Sequence, residues 1–174
     1  MIFLYILGAI VAIIVILALV APKNYHVARS ITINKPRHEV FSYLRSVKNQ
    51  DNWSPWKAKD PDMKQEFIGE DGTVGFVSKW EGNKHVGTGE QEIKNIVEGE
   101  MLETQLRFFK PWKSQSDAYI KTADAADGGT EVTWGFSGVN KVPVNIMMMF
   151  FNMDKTVGKD FEEGLDKLKS IMES

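Results

Sequence analysis

Residues 2–21, IFLYILGAIVAIIVILALVA, form one uninterrupted apolar run, and the first charged side chain is Lys23. At about 1.5 Å of rise per residue, a helix over this run is long enough for the roughly 30 Å hydrocarbon core of a bilayer. A water-soluble domain has no use for such a segment. The run therefore predicts a transmembrane anchor over residues 1–22 and a soluble domain over residues 23–174. A cleaved signal peptide is the rival reading. It requires a basic stretch before the apolar core, a core of about 7–15 residues and small residues at the cut. Here no Lys or Arg precedes the run, the run is longer, and Leu19 stands where a small residue belongs, with Pro22 following Ala21. An uncleaved, single-pass anchor is favoured. Lys23, Arg29, Lys35 and Arg37 all follow the run, and the positive-inside rule then leaves the domain in the cytoplasm. The competing view is that these are surface charges of a folded strand and helix.

The segment after the anchor is the size of one domain with a sizeable core. A net charge of −2 offers no basic field, so nucleic acid is not an expected partner. The absence of cysteine excludes disulfides, thiolate nucleophiles and Cys-ligated zinc, and leaves the compartment open.

Tyr25 to Asn34 alternates apolar and polar residues and reads as a strand. Asn34-Lys35-Pro36 opens a helix, with Asn34 as the expected cap and Val40, Phe41 and Leu44 on one face. Residues 49–55 read as a turn-rich break holding Trp53, with Trp56 just beyond. Further strands are expected over 63–69, 73–81, 84–97, 101–109, 114–123 and 130–138, each bounded by a turn signal such as Asp71-Gly72 or Gly82-Asn83. Short loops between successive strands imply an antiparallel meander. A last helix is expected over about 144–172, with Val157, Phe161, Leu165, Leu168 and Met172 as its apolar stripe. That stripe must cover the apolar face of the sheet, and a curved sheet under one helix leaves room for a pocket.

Four stretches carry a family resemblance: RSITINKPRHEVFSYLRSVKNQDNWSPW, GFVSKWEG, GGTEVTWGF and FEEGLDKLKSIME. Together they resemble the polyketide cyclase/dehydrase and lipid-transport (SRPBCC) group of START-like, Bet v 1-like proteins, over nearly all of residues 25–174. The resemblance implies an α+β helix-grip fold, in which a seven-stranded curved antiparallel sheet wraps a long C-terminal helix around a hydrophobic cavity. It implies binding of lipids, quinones, sterols or polyketides and, in a few members, catalysis. Fold alone does not decide among these.

Catalytic chemistry is thinly represented. His26, His38 and His85 share no metal-ligand spacing and read as surface or strand-end residues. No metal or other cofactor is expected and no catalytic residue is assigned. Glu90 and Glu92 lie two apart on one strand and face the same side. If that side is the cavity, a carboxylate there has a raised pKa and, with Lys79, makes an acid/base pair; a solvated strand face is the simpler reading. Lys79 and Arg107 are the basic candidates for a ligand head group, under the same simpler reading.

The aromatic residues are more informative. Phe76 and Trp80 share one side of their strand, Trp134 and Phe136 one side of the last, and Leu102, Leu106 and Phe108 form another row. Trp53 and Trp56 stand in the break after the first helix, and the run Ile146 to Phe151 opens the last helix. Methionine suits irregular apolar ligands, and an all-round apolar helix start also suits a lid or a bilayer contact. For each ring alone core packing is a sufficient explanation. For the set, a ligand-lined cavity and a filled core remain equal. The candidate ligand-binding residues are Trp53, Trp56, Phe76, Trp80, Phe108, Trp134, Phe136, Met148 and Phe151. The expected function is membrane-tethered binding of a hydrophobic small molecule, with a cyclase/dehydratase-type enzyme as the alternative and a non-binding interaction module as a third. The sequence names neither the ligand nor a protein partner.

Overall fold

The structure, a computed structural model, describes residues 2–150 and 152–174. The apolar run forms helix α1, Ile2–Val20, whose side chains are exposed except for half-buried Leu17 and Ala18. Seven strands follow: β1 Asn24–Ile33, β2 Lys64–Ile68, β3 Val77–Glu81, β4 Thr88–Val97, β5 Met101–Lys110, β6 Ser114–Asp124 and β7 Thr130–Val139. They make one antiparallel sheet in the order β1-β7-β6-β5-β4-β3-β2. Helix α2, Arg37–Arg45, follows β1, and two short helices, α3 Gln50–Trp53 and α4 Pro55–Lys59, lead into β2. After β7 come α5, Val144–Met148, and α6, Met153–Glu173. This is the α+β helix-grip arrangement the resemblance implies.

Cross-strand partners lie on the same side of a sheet, so the ladder assigns every strand residue a face. Val27 pairs with Phe136, Phe136 with Ala118, Thr104 with Ala118 and Ile93 with Thr104. All belong to the inner face, against which α6 packs Phe161, Leu165 and Leu168. α6 lies mainly over β1 and, to a lesser extent, β7. Arg29 fixes that position. It projects from β1 to Asp154 (2.9 Å) and Glu162 (2.6 Å), one turn and three turns along α6.

The structure corrects several local expectations. The closing helix is two helices, because Asn152 caps α6: its side chain accepts the backbone N–H of Lys155 at 2.8 Å. Asn34 does not cap α2; its backbone N–H donates to Glu173, and α2 starts after Pro36 without a side-chain cap. The break after α2 is helical. A 3-10 turn over Val47–Asn49 receives Asp71, which accepts from Ser46 Oγ and from the N–H groups of Val47 and Lys48, and α3 and α4 follow. Burial of Trp53 under α6 holds this segment in a form its turn-rich composition does not suggest. β3 starts at Val77 rather than Thr73, since the N–H of Phe76 turns back onto Thr73. β4 starts at Thr88 rather than Lys84, since Asn83 closes a turn with Val86 and Gly87.

Candidate ligand site

The candidate residues fall into three groups on the inner face and one beside α1. Trp53, Trp56, Trp134 and Phe136 come together. Trp134 stacks on Phe161 (ring centroids 4.2 Å, 19° apart), and Trp53 and Trp56 meet it edge-on at 4.7 and 5.4 Å. Phe136 meets Phe161 at 5.8 Å and Tyr25 at 5.2 Å. Phe161, which covers these rings, is a residue the sequence placed on the helix stripe but not in the site. Phe76 lies apart, in a second cluster with Val47, Ile93 and Leu102, and stacks on Phe67. Trp80 and Phe108 form the third group, an edge-to-face pair at 5.7 Å. Met148 is half-buried on α5, away from the strand rows, and Phe151 lies outside the described residues.

The third group differs from the first in its surroundings. Trp134 is 6% exposed under α6, whereas Trp80, Phe108 and Leu106 are only half-buried, on β3 and β5, beyond the strands α6 mainly covers. The Trp80 ring lies across Gly89 of β4, where an added Cβ would come 2.6 Å from it, so glycine is what lets the ring lie flat on the sheet. Among the described residues the Trp80 Nε1–H is buried without an acceptor, as is that of Trp53 in the first group. Such a donor ordinarily finds one.

Polar side chains also stand on the inner face, from β3 across to β1. Gln91 donates to Thr104 Oγ1 at 3.1 Å, and the Tyr25 and Ser116 hydroxyls share a 2.7 Å hydrogen bond. Ser78, Thr104 and Ser116 are buried. Burial raises the Tyr25 phenol above its ordinary pKa, with the Ser116 hydrogen bond opposing the rise, so it stays a neutral hydroxyl at physiological pH. The arrangement around Trp80 offers flat apolar area, neutral hydroxyls and the indole donor. That set can hold an apolar molecule with an oxygen-bearing end.

The acid/base candidates lie on the opposite face. Lys79 alternates with Trp80 and pairs with Glu90 across the ladder, so both point away from α6. Arg107 binds Glu90 (2.6 Å) and Glu92 (2.7 Å), and Lys79 pairs with Glu66. The Arg107 hydrogen bond, then that of Lys94, holds Glu92 below the usual carboxylate range, the reverse of the shift a general acid in a cavity needs. His26 bonds Tyr119 on this outer face, and His38 and His85 are exposed. Two open clefts, of about 470 and 500 Å³, both border Arg37 at the far end of the sheet from α1 and not the space under α6. There Arg37 is already engaged by Asp124, Glu100 and the carbonyl of Gly99.

A sheet wrapped on a C-terminal helix, with apolar rows facing the helix, defines the helix-grip class. The chain belongs to the polyketide cyclase / dehydrase and lipid transport family, whose sequence profile matches residues 25–173. Solved structures share the fold. Major latex-like protein 151 from Panax ginseng is 12% identical, with a TM-score of 0.62 over 87% of this chain and 99% of that one. The Aha1 dimer from Colwellia psychrerythraea is 13% identical, with a TM-score of 0.59 over 86% and 96%. Protein CV1439 from Chromobacterium violaceum is 13% identical, with a TM-score of 0.60 over 88% and 99%. Identities this low show the fold alone. No curated protein matches the sequence.

Proposed function

We propose that residues 1–22 anchor the chain in a membrane, and that residues 23–174 form a domain binding a hydrophobic small molecule, of lipid, isoprenoid or quinone type, between the sheet and α6. The observation that carries the binding reading is the Trp80–Phe108 pair. It lies on the half of the inner face that α6 covers least, and its buried indole N–H lacks an acceptor. A ligand oxygen would supply that acceptor, and the ligand's apolar body would cover Trp80, Phe108 and Leu106. The family supports the same class of ligand. Trp53, Trp56, Trp134 and Phe136 then form the floor under α6, and Phe76 the packing behind it. Binding without catalysis is favoured, because Glu90, Glu92 and Lys79 point away from this space.

The anchor reading rests on the mean hydropathy of α1, 3.2, and on its having no buried residue. The basic residues after it orient the domain to the cytoplasm, which a reporter fused after Ser174 tests by the compartment in which it is active. One observation favours a filled interior instead: the close stacking of Trp134, Phe161 and Trp53, with the open clefts elsewhere. Titration with a fluorescent fatty acid and a quinone analogue separates the two. Saturable binding that weakens about fivefold or more in Trp80→Ala, the loss of about 1 kcal/mol of contact, supports a site. No binding by the native chain leaves an ordinary core.

A further inference from the structure

We propose that the end of the domain nearest α1 is a bilayer-docking surface, built from the β5–β6 hairpin tip and α5 and its flanks, which presses the open half of the inner face against lipid. This rests on the reading of α1 as a membrane anchor.

The ladder puts the relevant segments at one end. Asn24, the first residue of β1, pairs with Val139, the last of β7. Gly138 pairs with Ser116 near the start of β6, and Ser114 pairs with Phe108 near the end of β5. The β5–β6 hairpin tip, residues 111–113, is therefore at the end of the sheet where α1 joins. α5 is held there directly. Asn145, fully buried, donates from Nδ2 to the carbonyl oxygens of Ala18 (3.2 Å), in the last turn of α1, and Ala21 (3.5 Å), just after it. Leu17 and Ala18 are the half-buried positions of α1, as this contact requires.

This end exposes large apolar side chains that a surface in water has no reason to carry. Trp112 is 73% exposed, Phe150 84% and Met147 58%, with Phe109, Val139, Val142 and Met149 also exposed. Exposed Lys23, Lys110, Lys113 and Lys141 stand among them. Trp rings with lysines beside them fit the boundary between acyl chains and phosphates, where the ring lies at headgroup depth and the ammonium reaches the phosphates. Of the turns at the opposite end, 98–100 and 125–129 hold charged and small residues, and 69–76 exposes one large apolar side chain, Val74, without an aromatic ring or a lysine beside it. If α1 spans the bilayer, its last turn lies at the membrane surface, and the Asn145 contact fixes α5 there.

The candidate ligand site lies near the same end. Phe108 is two residues from the end of β5 and pairs with Gly89, which pairs with Trp80, one residue from the end of β3. A docked domain would therefore exchange an apolar molecule with the bilayer without passing it through water.

The chain has no cysteine, so single labels are unambiguous. Full-length protein carrying a fluorophore on Lys113→Cys, Met149→Cys, Ala126→Cys or Ile13→Cys is reconstituted into phosphatidylcholine–phosphatidylglycerol vesicles. Quenching by lipid-attached nitroxide is then measured. The expected result is strong quenching at 13 and quenching at 113 and 149 several-fold above that at 126. Adding Trp112→Ser with Phe150→Ser should reduce quenching at 113 and 149 and leave 13 unchanged. Labels at 113 and 149 that resemble 126, with 13 in lipid, overturn the docking surface and leave the anchor standing. Quenching at 113 and 149 that ignores the double substitution shows mere tethering and also overturns it. A label at 13 that stays in water overturns the anchor and the docking together.

Discussion

Trp134→Ala and Trp80→Ala remove the same side chain from two places on one face, and the structure predicts different costs. Trp134 is 6% exposed and touches Trp53, Trp56 and Phe161, with Gly164 of α6 close enough that an added Cβ would come 2.8 Å from its ring. Its surroundings are α6 and a sheet strand, which cannot close onto the gap. The loss should reach the range for buried Trp→Ala, about 3–5 kcal/mol. For a domain of this size that lowers Tm by about 8–16 °C. Trp80 is half-buried, has Phe108 as its one aromatic partner among the described residues, and buries an N–H without an acceptor there. Less area is lost, and removing the orphaned donor offsets about 1 kcal/mol or more of the loss. The net cost should be about 1–2 kcal/mol. Trp80→Phe keeps an aromatic six-membered ring and loses the donor together with the pyrrole part of the indole, so the lost contact and the removed orphan oppose each other and its stability should stay within about 1 kcal/mol of the native chain's. Chemical denaturation in detergent, followed by far-UV circular dichroism, gives all three. Equal losses for the two alanine variants, or a clear loss for Trp80→Phe, would refute the reasoning and make Trp80 ordinary core.

Two further outcomes follow from the packing and the charges. Gly164→Ala should destabilise by about 1–3 kcal/mol although alanine is the better helix former, because its Cβ wedges against Trp134 and Pro55; a gain in Tm contradicts the packing of α6. Glu92 is held low by Arg107 and then Lys94, and Asp154 by Arg29. Both stay ionised in the fold to lower pH than in the unfolded chain. Their contribution is complete above the unfolded carboxylate pKa of about 4 and is lost as pH falls through that value toward the folded one. Tm should fall between pH 5 and pH 3, and less steeply in Arg107→Gln; identical slopes would mean the Arg107 bonds do not couple to stability.

Strand alternation made the sheet and its faces legible. Trp134 and Phe136, and Leu102, Leu106 and Phe108, needed only the period of two to be set on common sides. Turn signals set most strand limits, and failed where Asn83 and Thr73 close turns inside an otherwise strand-like stretch. Distant packing was not legible. The segment holding Trp53 and Trp56 is helical because it is buried under α6, a contact across more than a hundred residues. The side of Glu90 and Glu92 was open because alternation pairs them without saying which face α6 covers. α6 takes the face that carries Val27, Trp134 and Phe136, against which Phe161, Leu165 and Leu168 pack, and there Arg29 also reaches Asp154 and Glu162 past Gly158, where an added Cβ would collide with the guanidinium. For the same reason the sequence grouped Trp80 with Trp134, while the structure leaves one half-open and packs the other.

Mass spectrometry of small molecules extracted from the purified protein tests ligand binding most directly. The account predicts one apolar, oxygen-bearing molecule near one per chain. It should remain when residues 1–22 are removed, which excludes lipid carried by the anchor, and it should be depleted in Trp80→Ala. A segment 23–174 that is folded, carries no such molecule and binds no apolar probe would contradict the account, and the space between sheet and helix would then be a filled core.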